Sequence, residues 1–301
     1  MTGSSDWFTG FTADRYRVGD ITLHARVGGR ADALPLVLLH GFPQDHAMWH
    51  RGAQQLAPHF RLVLPDLRGY GDSDKPPGGA EHVDYSKRTM AADIAGLMQE
   101  LGHARYAVCG HDRGARVANR LALDHSTAVT RLALLDIAPT LDMYNATDMR
   151  FASLYYHWFH LIQPDPLPER MIGGDPLFYL HWTLGGWGSS GLGHIESAAL
   201  TSYERCFRHP ETIHAMCEDY RAAAGIDLEH DRASRAAGER IACDTLVLWG
   251  ARGVVDALFD PIGLWQAQCS ARVDGRALDG GHYLAEEMPT QTATALMEFF
   301  G

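Results

Sequence analysis

The chain has 301 residues, of which 46% are hydrophobic and 21% charged. These are the proportions of a globular chain with a sizeable core, and they exclude a disordered one. A formal net charge of −11 argues against non-specific nucleic-acid binding, although a pocket inside an acidic protein can still be locally basic. Cys109, Cys206, Cys217, Cys243 and Cys269 are odd in number and form no C-x-x-C pair, so neither a disulfide framework nor a cysteine zinc site is expected.

The opening MTGSSDWFTGF has no basic start followed by an apolar run, and no stretch has the length and apolarity of a membrane span. The expected compartment is the cytoplasm. Tyr16–Val18 and Ile21–Val27 alternate around Gly19-Asp20, which predicts an opening hairpin. Pro35–Leu39, Leu62–Leu64, Tyr106–Cys109, Leu132–Leu135 and Thr245–Trp249 are continuous apolar runs, the pattern of strands buried on both faces of a parallel sheet. Ser86–Leu101 and Arg113–Leu123 carry helical spacing between them. This alternation is the α/β pattern. It stops between about Leu141 and Arg240, a stretch rich in aromatics, His, Gly and Pro without a β-run. The expected organisation is an α/β core of residues 1–140 and 241–301, with a mostly helical cap of residues 141–240 inserted into it.

The central motif is Gly110-His111-Asp112-Arg113-Gly114. A buried strand ends, small residues flank a central side chain, and a helix begins. That is the layout of a nucleophile elbow, whose glycines permit a strained turn that aims the central residue into a pocket. Here the central residue is Asp112 rather than serine. A carboxylate is already ionised at neutral pH, so it can displace a leaving group from saturated carbon and form an ester. The helix start and the nearby Arg113 and Arg116 should favour its charged form. The plainer reading is that Asp112 caps the helix, as Asp often does.

Two more motifs fit the elbow. His40-Gly41-Phe42-Pro43 follows the first apolar run, where such a loop supplies an oxyanion-hole N–H. The donors would be the Phe42 and Arg113 backbone N–H groups. Near the C-terminus, Gly280-Gly281-His282 places a histidine on a flexible loop in the chain order nucleophile–acid–His, the order that makes His282 the base. Asp136, Asp256 and Asp260 each follow a strand closely enough to be its acid partner. His46 and His50 have the i, i+4 spacing of helix zinc ligands, but no glutamate base lies between them, and no metal is expected.

HGFPQDHAMWH, DLRGYGDSDKP, GHDRGARV, LLDIAPT and GGHYLAEE together resemble the α/β-hydrolase superfamily over nearly the whole chain, and within it the haloacetate dehalogenases, which include the fluoroacetate dehalogenases. The resemblance implies an α/β-hydrolase fold, Asp112 as nucleophile and Asp136 as the acid. It implies Arg113 and Arg116 as the clamp for a substrate carboxylate. Through Tyr156-His157-Trp158 and Cys217-Glu218-Asp219-Tyr220-Arg221 it implies His157, Trp158 and Tyr220 as halide ligands. The glycine-rich 184–194 stretch has no match. The implied reaction converts a 2-haloacid and water to the 2-hydroxyacid through an Asp112 ester, with no cofactor. A homodimer is the expected assembly. The rival is an epoxide hydrolase using the same aspartate, with two tyrosines among Tyr155, Tyr156, Tyr179, Tyr203 and Tyr220 protonating the epoxide oxygen. A fold retained for ligand binding without turnover is the non-enzymatic alternative.

Overall fold

The computed structural model describes residues 7–301; residues 1–6, on which the leader-peptide expectation partly rests, lie outside it. Eight strands form one sheet: β1 (Phe11–Val18), β2 (Ile21–Gly29), β3 (Pro35–Leu39), β4 (Arg61–Pro65), β5 (Tyr106–His111), β6 (Val129–Leu135), β7 (Asp244–Gly250) and β8 (Val273–Leu278). The spatial order is β1-β2-β4-β3-β5-β6-β7-β8. β2 is antiparallel to both β1 and β4, and every other pairing is parallel.

The inner strands are the continuous apolar runs of the sequence. Leu36–Leu39, Leu62–Leu64, Tyr106–Cys109, Leu132–Leu135 and Val247–Leu248 are buried, because helices cover both faces of the sheet. Those helices are α1 (His50–Leu56), α2 (Lys87–Glu100) and α3 (Arg113–Asp124), and later α12 (Val254–Leu258), α13 (Pro261–Gln268), α14 (Leu284–Glu287) and α15 (Pro289–Phe300). α2 begins where the Ser86 side chain accepts the Thr89 N–H, a capping bond that fixes its first turn. The edge strands are different. β1 is mostly exposed from Thr12 to Arg15, and β8 from Asp274 to Ala277. Neither therefore presents the apolar run that marks an inner strand.

Eight helices separate β6 from β7: α4 (Thr140–Asn145), α5 (Met149–Leu154), α6 (Tyr156–Leu161), α7 (Leu167–Gly174), α8 (Pro176–Leu184), α9 (Ser197–Phe207), α10 (Pro210–Ala224) and α11 (Ile226–Ala236). The loops after β3, β5, β6, β7 and β8 all leave the carboxyl edge of the sheet, where open α/β sheets gather their sites. Among the described residues no helix is long and apolar enough to cross a membrane, and all five cysteines are free thiols.

Candidate active site

Asp112 stands between β5 and α3 with φ 46° and ψ −115°, a backbone conformation that costs a non-glycine residue energy and persists only where its surroundings enforce it. The enforcement is packing. A Cβ on Gly110 would lie 2.4 Å from the Gly114 carbonyl oxygen, and one on Gly114 2.2 Å from that of His40. Only glycine lets strand, helix and the His40 loop approach so closely. The Asp112 side chain makes no capping bond to its own helix. Its Oδ1 instead accepts the Phe42 N–H at 3.2 Å, and its Oδ2 lies 3.9 Å from His282 Nε2.

Asp136 follows β6 and His282 follows β8. Asp136 Oδ2 meets His282 Nδ1 at 2.6 Å, while its Oδ1 accepts the Gly250 N–H at 2.8 Å. The competing acids are engaged elsewhere. Asp256 accepts the Trp249 indole N–H at 2.7 Å on the surface, and Asp260 caps α13 through the Gly263 N–H. His282 Nε2 is buried without a hydrogen-bond partner. Burial alone would lower the pKa of His282, but the hydrogen bond and charge of Asp136, with the charge of Asp112, raise it. Burial would likewise raise that of Asp112, yet the charges of His282, Arg116 and Arg113 outweigh it and hold the carboxyl ionised. His111 is pushed down to about 3, mainly by burial and then by the His282 charge. It is therefore neutral, and its Nε2 lies 2.8 Å from the His282 carbonyl oxygen, to which it donates.

Arg113 and Arg116 are both buried, and they are held differently. Arg113 gives Nε and Nη2 to the Asp219 carboxylate at 3.0 and 2.7 Å and Nη2 also to the Asp219 carbonyl, which leaves Nη1 without a partner. Asp219 also binds Tyr70 Oη and Lys87 Nζ. Despite burial, the charges of Arg113 and Lys87 keep Asp219 far below the ordinary carboxylate range. Arg116 gives Nη1 to the Ala138 carbonyl and Thr140 Oγ1 and Nη2 to Met143 Sδ, and its Nε has no partner. Buried guanidinium groups are normally paired with a carboxylate, as Arg113 is. Asp219 belongs to a motif visible in the sequence, but its role was not; an acidic residue beside Tyr220 on a long helix was the available signal.

His157 and Tyr220 converge on the Phe42 ring. His157 stacks on it at 5.9 Å, Tyr220 meets it edge-on at 5.2 Å, and the two are 5.5 Å apart. His157 Nδ1 and Tyr220 Oη are buried without partners. Trp158 is placed beside Arg116: its ring carries the Arg116 guanidinium at 4.8 Å and packs on Tyr144, Phe151 and Tyr155. Of the five tyrosines considered, Tyr155 and Tyr220 border the site. Tyr203 bonds Glu286 and Tyr179 contacts His160, while Tyr156 is partly exposed. Trp187, from the unmatched glycine-rich stretch, is an addition. Its ring lies 4.3 Å from that of His157 and 5.2 Å from that of His282, and it lines a neighbouring cavity of about 650 Å³ with Trp182, Arg252 and Val254.

His46 and His50 do not converge on a common point. His46 bonds Asp66 and accepts from Arg26, and His50 bonds the Ala47 carbonyl while its Nε2 lies 3.0 Å from Glu196. The grouping of His24, His46 and Asp66 is spanned by its own hydrogen bonds.

An eight-stranded sheet with an Asp–His–Asp constellation on its carboxyl edge defines a class, and the chain belongs to it: the family described as the alpha/beta hydrolase fold matches residues 35–289. Within that class the chain is 42% identical to the fluoroacetate dehalogenase of Burkholderia sp, over 97% of this chain and 94% of that protein. It is 32% identical to the soluble epoxide hydrolase of Corynebacterium sp. (strain C12), over 88% and 90% respectively. A solved structure from Nostoc sp PCC 7120, assigned to the α/β hydrolases, is 48% identical with a TM-score of 0.94, covering 97% of this chain and 99% of that one.

Proposed function

We propose that this protein hydrolyses the carbon–halogen bond of a short 2-haloacid such as haloacetate, with residues 1–140 and 241–301 as the core and 141–240 as the cap. The single observation that carries the reading is Arg116, a buried guanidinium with no carboxylate partner among the described residues, one helical turn from Asp112. A buried cation left unpaired calls for an anion. With Arg113 Nη1 it fits the carboxylate of a haloacid.

The geometry supports the following steps. Held by the arginines, the α-carbon faces Asp112 Oδ2, which displaces halide and forms an ester. His157 and Tyr220, with Trp158, receive the departing halide. The ester carbonyl oxygen is then Oδ1, already bonded to the Phe42 N–H; Phe42 and Arg113 backbone N–H groups stabilise the oxyanion. His282, oriented by Asp136, takes a proton from the water that attacks this carbonyl. The products are the 2-hydroxyacid, halide and a proton, and Asp112 is regenerated.

Halide release from fluoro-, chloro- and bromoacetate, run beside styrene oxide, tests the reading. Turnover of a haloacetate is expected. Turnover of the epoxide alone would favour the Asp112 epoxide hydrolase, with Tyr155 and Tyr220 as its acids.

We extend the reading to a homodimer formed through the cap. Of the eight large hydrophobic side chains exposed among the described residues, seven lie between Met149 and Trp182. Phe178 and Trp182 stack along α8. Tyr156, Met171, Phe178 and Trp182 line one groove; apolar surface gathered in this way marks an association site, and a two-fold contact uses the same patch twice, with about 800 Å² per partner in a standard interface. Sedimentation of the wild type and of Phe178→Lys decides it: a dimer that dissociates on substitution is expected, and a monomeric wild type overturns it.

A further inference from the structure

The motif around His282 ends in two glutamates that the proposed reaction leaves unused. Glu287 closes α14 with its side chain only 7% exposed. Its Oε2 accepts the Gly281 N–H at 2.7 Å, and its Oε1 accepts the Tyr283 N–H at 3.0 Å. These are the N–H groups of the residues on either side of the histidine. The His282 N–H donates to the Trp187 carbonyl at 3.1 Å. Its own carbonyl accepts from His111. Glu287 Oε1 also accepts the Ser189 hydroxyl at 2.8 Å.

The two loops are pressed together. A Cβ on Gly188 would lie 3.0 Å from Gly281 Cα, and one on Gly281 would lie 2.7 Å from the Gly188 carbonyl carbon. One carboxylate therefore fixes the backbone of the histidine loop and fastens the 187–189 loop to it. Asp136 orients the imidazole ring, but a ring can be aimed only as well as its backbone is held.

We propose that Glu287 is a positioning residue for the second half of the reaction, setting His282 for attack of water on the Asp112 ester while taking no part in halide displacement. This rests on the reaction proposed above. Displacement needs the Asp112 carboxylate, the arginines and the halide donors, none of which Glu287 touches. Ester hydrolysis needs Nε2 placed to within a fraction of an ångström, and misplacement of about 1 Å can cost about a hundredfold.

The test uses Glu287→Gln and Glu287→Ala in the full chain, with bromoacetate as substrate. Gln keeps one acceptor and loses the other; Ala loses both. In single turnover both variants should release one equivalent of halide at the wild-type rate. Ester hydrolysis should fall roughly tenfold in Gln and roughly a hundredfold in Ala, with the adduct on the Asp112 peptide accumulating by mass spectrometry. If Ala fails to fold, Gln alone still gives the comparison. A second readout needs no substrate: the low-field Nδ1–H proton resonance of His282 should shift or broaden in Gln while the melting temperature moves little. Equal losses in displacement and hydrolysis, or unchanged hydrolysis with no adduct, overturn the proposal. Absence of halide release by the wild type is a different result. It removes the reaction itself, and with it the step that Glu287 would serve.

Discussion

His282 Nε2 faces Asp112 Oδ2 across 3.9 Å, too far for a hydrogen bond, and the nitrogen has no other partner. In the proposed reaction the carboxylate is thus free to act as a nucleophile without giving or taking a proton, and the imidazole is kept for a later step. His282→Asn should accordingly release one equivalent of halide and stall, with the ester trapped on Asp112. Peptide mass spectrometry after bromoacetate checks it; continued turnover without an adduct refutes this division of labour.

His282 also sets the pH dependence of the proposed ester hydrolysis. Only the neutral imidazole can act as a base, and the pKa of His282 is raised because the bond and charge of Asp136 and the charge of Asp112 outweigh burial. Once Asp112 is esterified its charge is gone, so Asp136 remains the main group that raises His282, and ester hydrolysis should rise with pH through the midpoint at which the imidazole loses its proton. Asp136→Asn should lower that midpoint by removing the carboxylate. Rates of ester breakdown from pH 5 to 9 measure it; an unmoved midpoint in Asp136→Asn would mean that another group controls the profile.

Arg116→Met isolates the carboxylate contact, because Arg113 stays anchored on Asp219. Losing one charge-assisted contact is worth about 1.5–3 kcal/mol, roughly ten- to a hundredfold in KM for chloroacetate. Chloroacetamide, which carries no charge, should be nearly indifferent. An equal rise for both compounds would make Arg116 a support for the pocket rather than a recognition residue.

How far the sequence discloses the molecule depends on burial. β3 to β7 are sealed on both faces, so each reads as an apolar run. β8 lies at the sheet edge with four exposed residues, and nothing in VDGRAL separates it from a loop. Asp112, Asp136 and His282 follow strands and sit among glycines or turn residues, so local context marks them. Asp219 and Trp187 act through partners distant in the chain. The Arg113–Asp219 pair spans 106 residues, and no local pattern encodes a contact of that length. The resemblance supplied His157, Trp158 and Tyr220, whereas spacing alone would have left them as core aromatics.

Glu286 offers a test of stability. It is buried with Gln44 Nε2 and Tyr203 Oη on its carboxyl, and burial raises its pKa to about 8 against the opposing effects of Tyr203, Arg51 and Gln44. The folded chain thus keeps a proton that the unfolded chain releases in the ordinary carboxylate range. Stability from this group falls as pH climbs from that range through about 8 and is level beyond. Glu286→Gln copies the protonated shape, and Gln44, whose Oε1 has no partner, can turn its amide to accept from it. The melting-temperature advantage of Glu286→Gln should grow from pH 5 to pH 9. A difference that stays constant across the range would show that Glu286 does not titrate there.

The leaving group gives the sharpest separation of roles. Fluoride is the poorest halide leaving group and concentrates its charge, so it needs strong donors in the transition state, whereas bromide leaves with little help. Tyr220 Oη and His157 Nδ1 are buried without partners, a state that costs about 1–3 kcal/mol per group and is relieved when a ligand accepts the bond. Tyr220→Phe should therefore hold or raise the melting temperature while slowing fluoroacetate alkylation, where the wild type has that activity, by about ten- to a thousandfold. Bromoacetate should lose less, because only interactions that strengthen in the transition state change the chemical step. Trp158→Phe is the companion variant. Its ring lies under Arg116 rather than beside Tyr220, so the halide role proposed for its N–H predicts the same fluoride-selective loss, whereas packing alone predicts equal losses for both halides. Single-turnover rates on the two substrates distinguish these outcomes, since they isolate displacement from ester hydrolysis. If Tyr220→Phe slowed both halides equally, the halide site would have to be sought away from Tyr220.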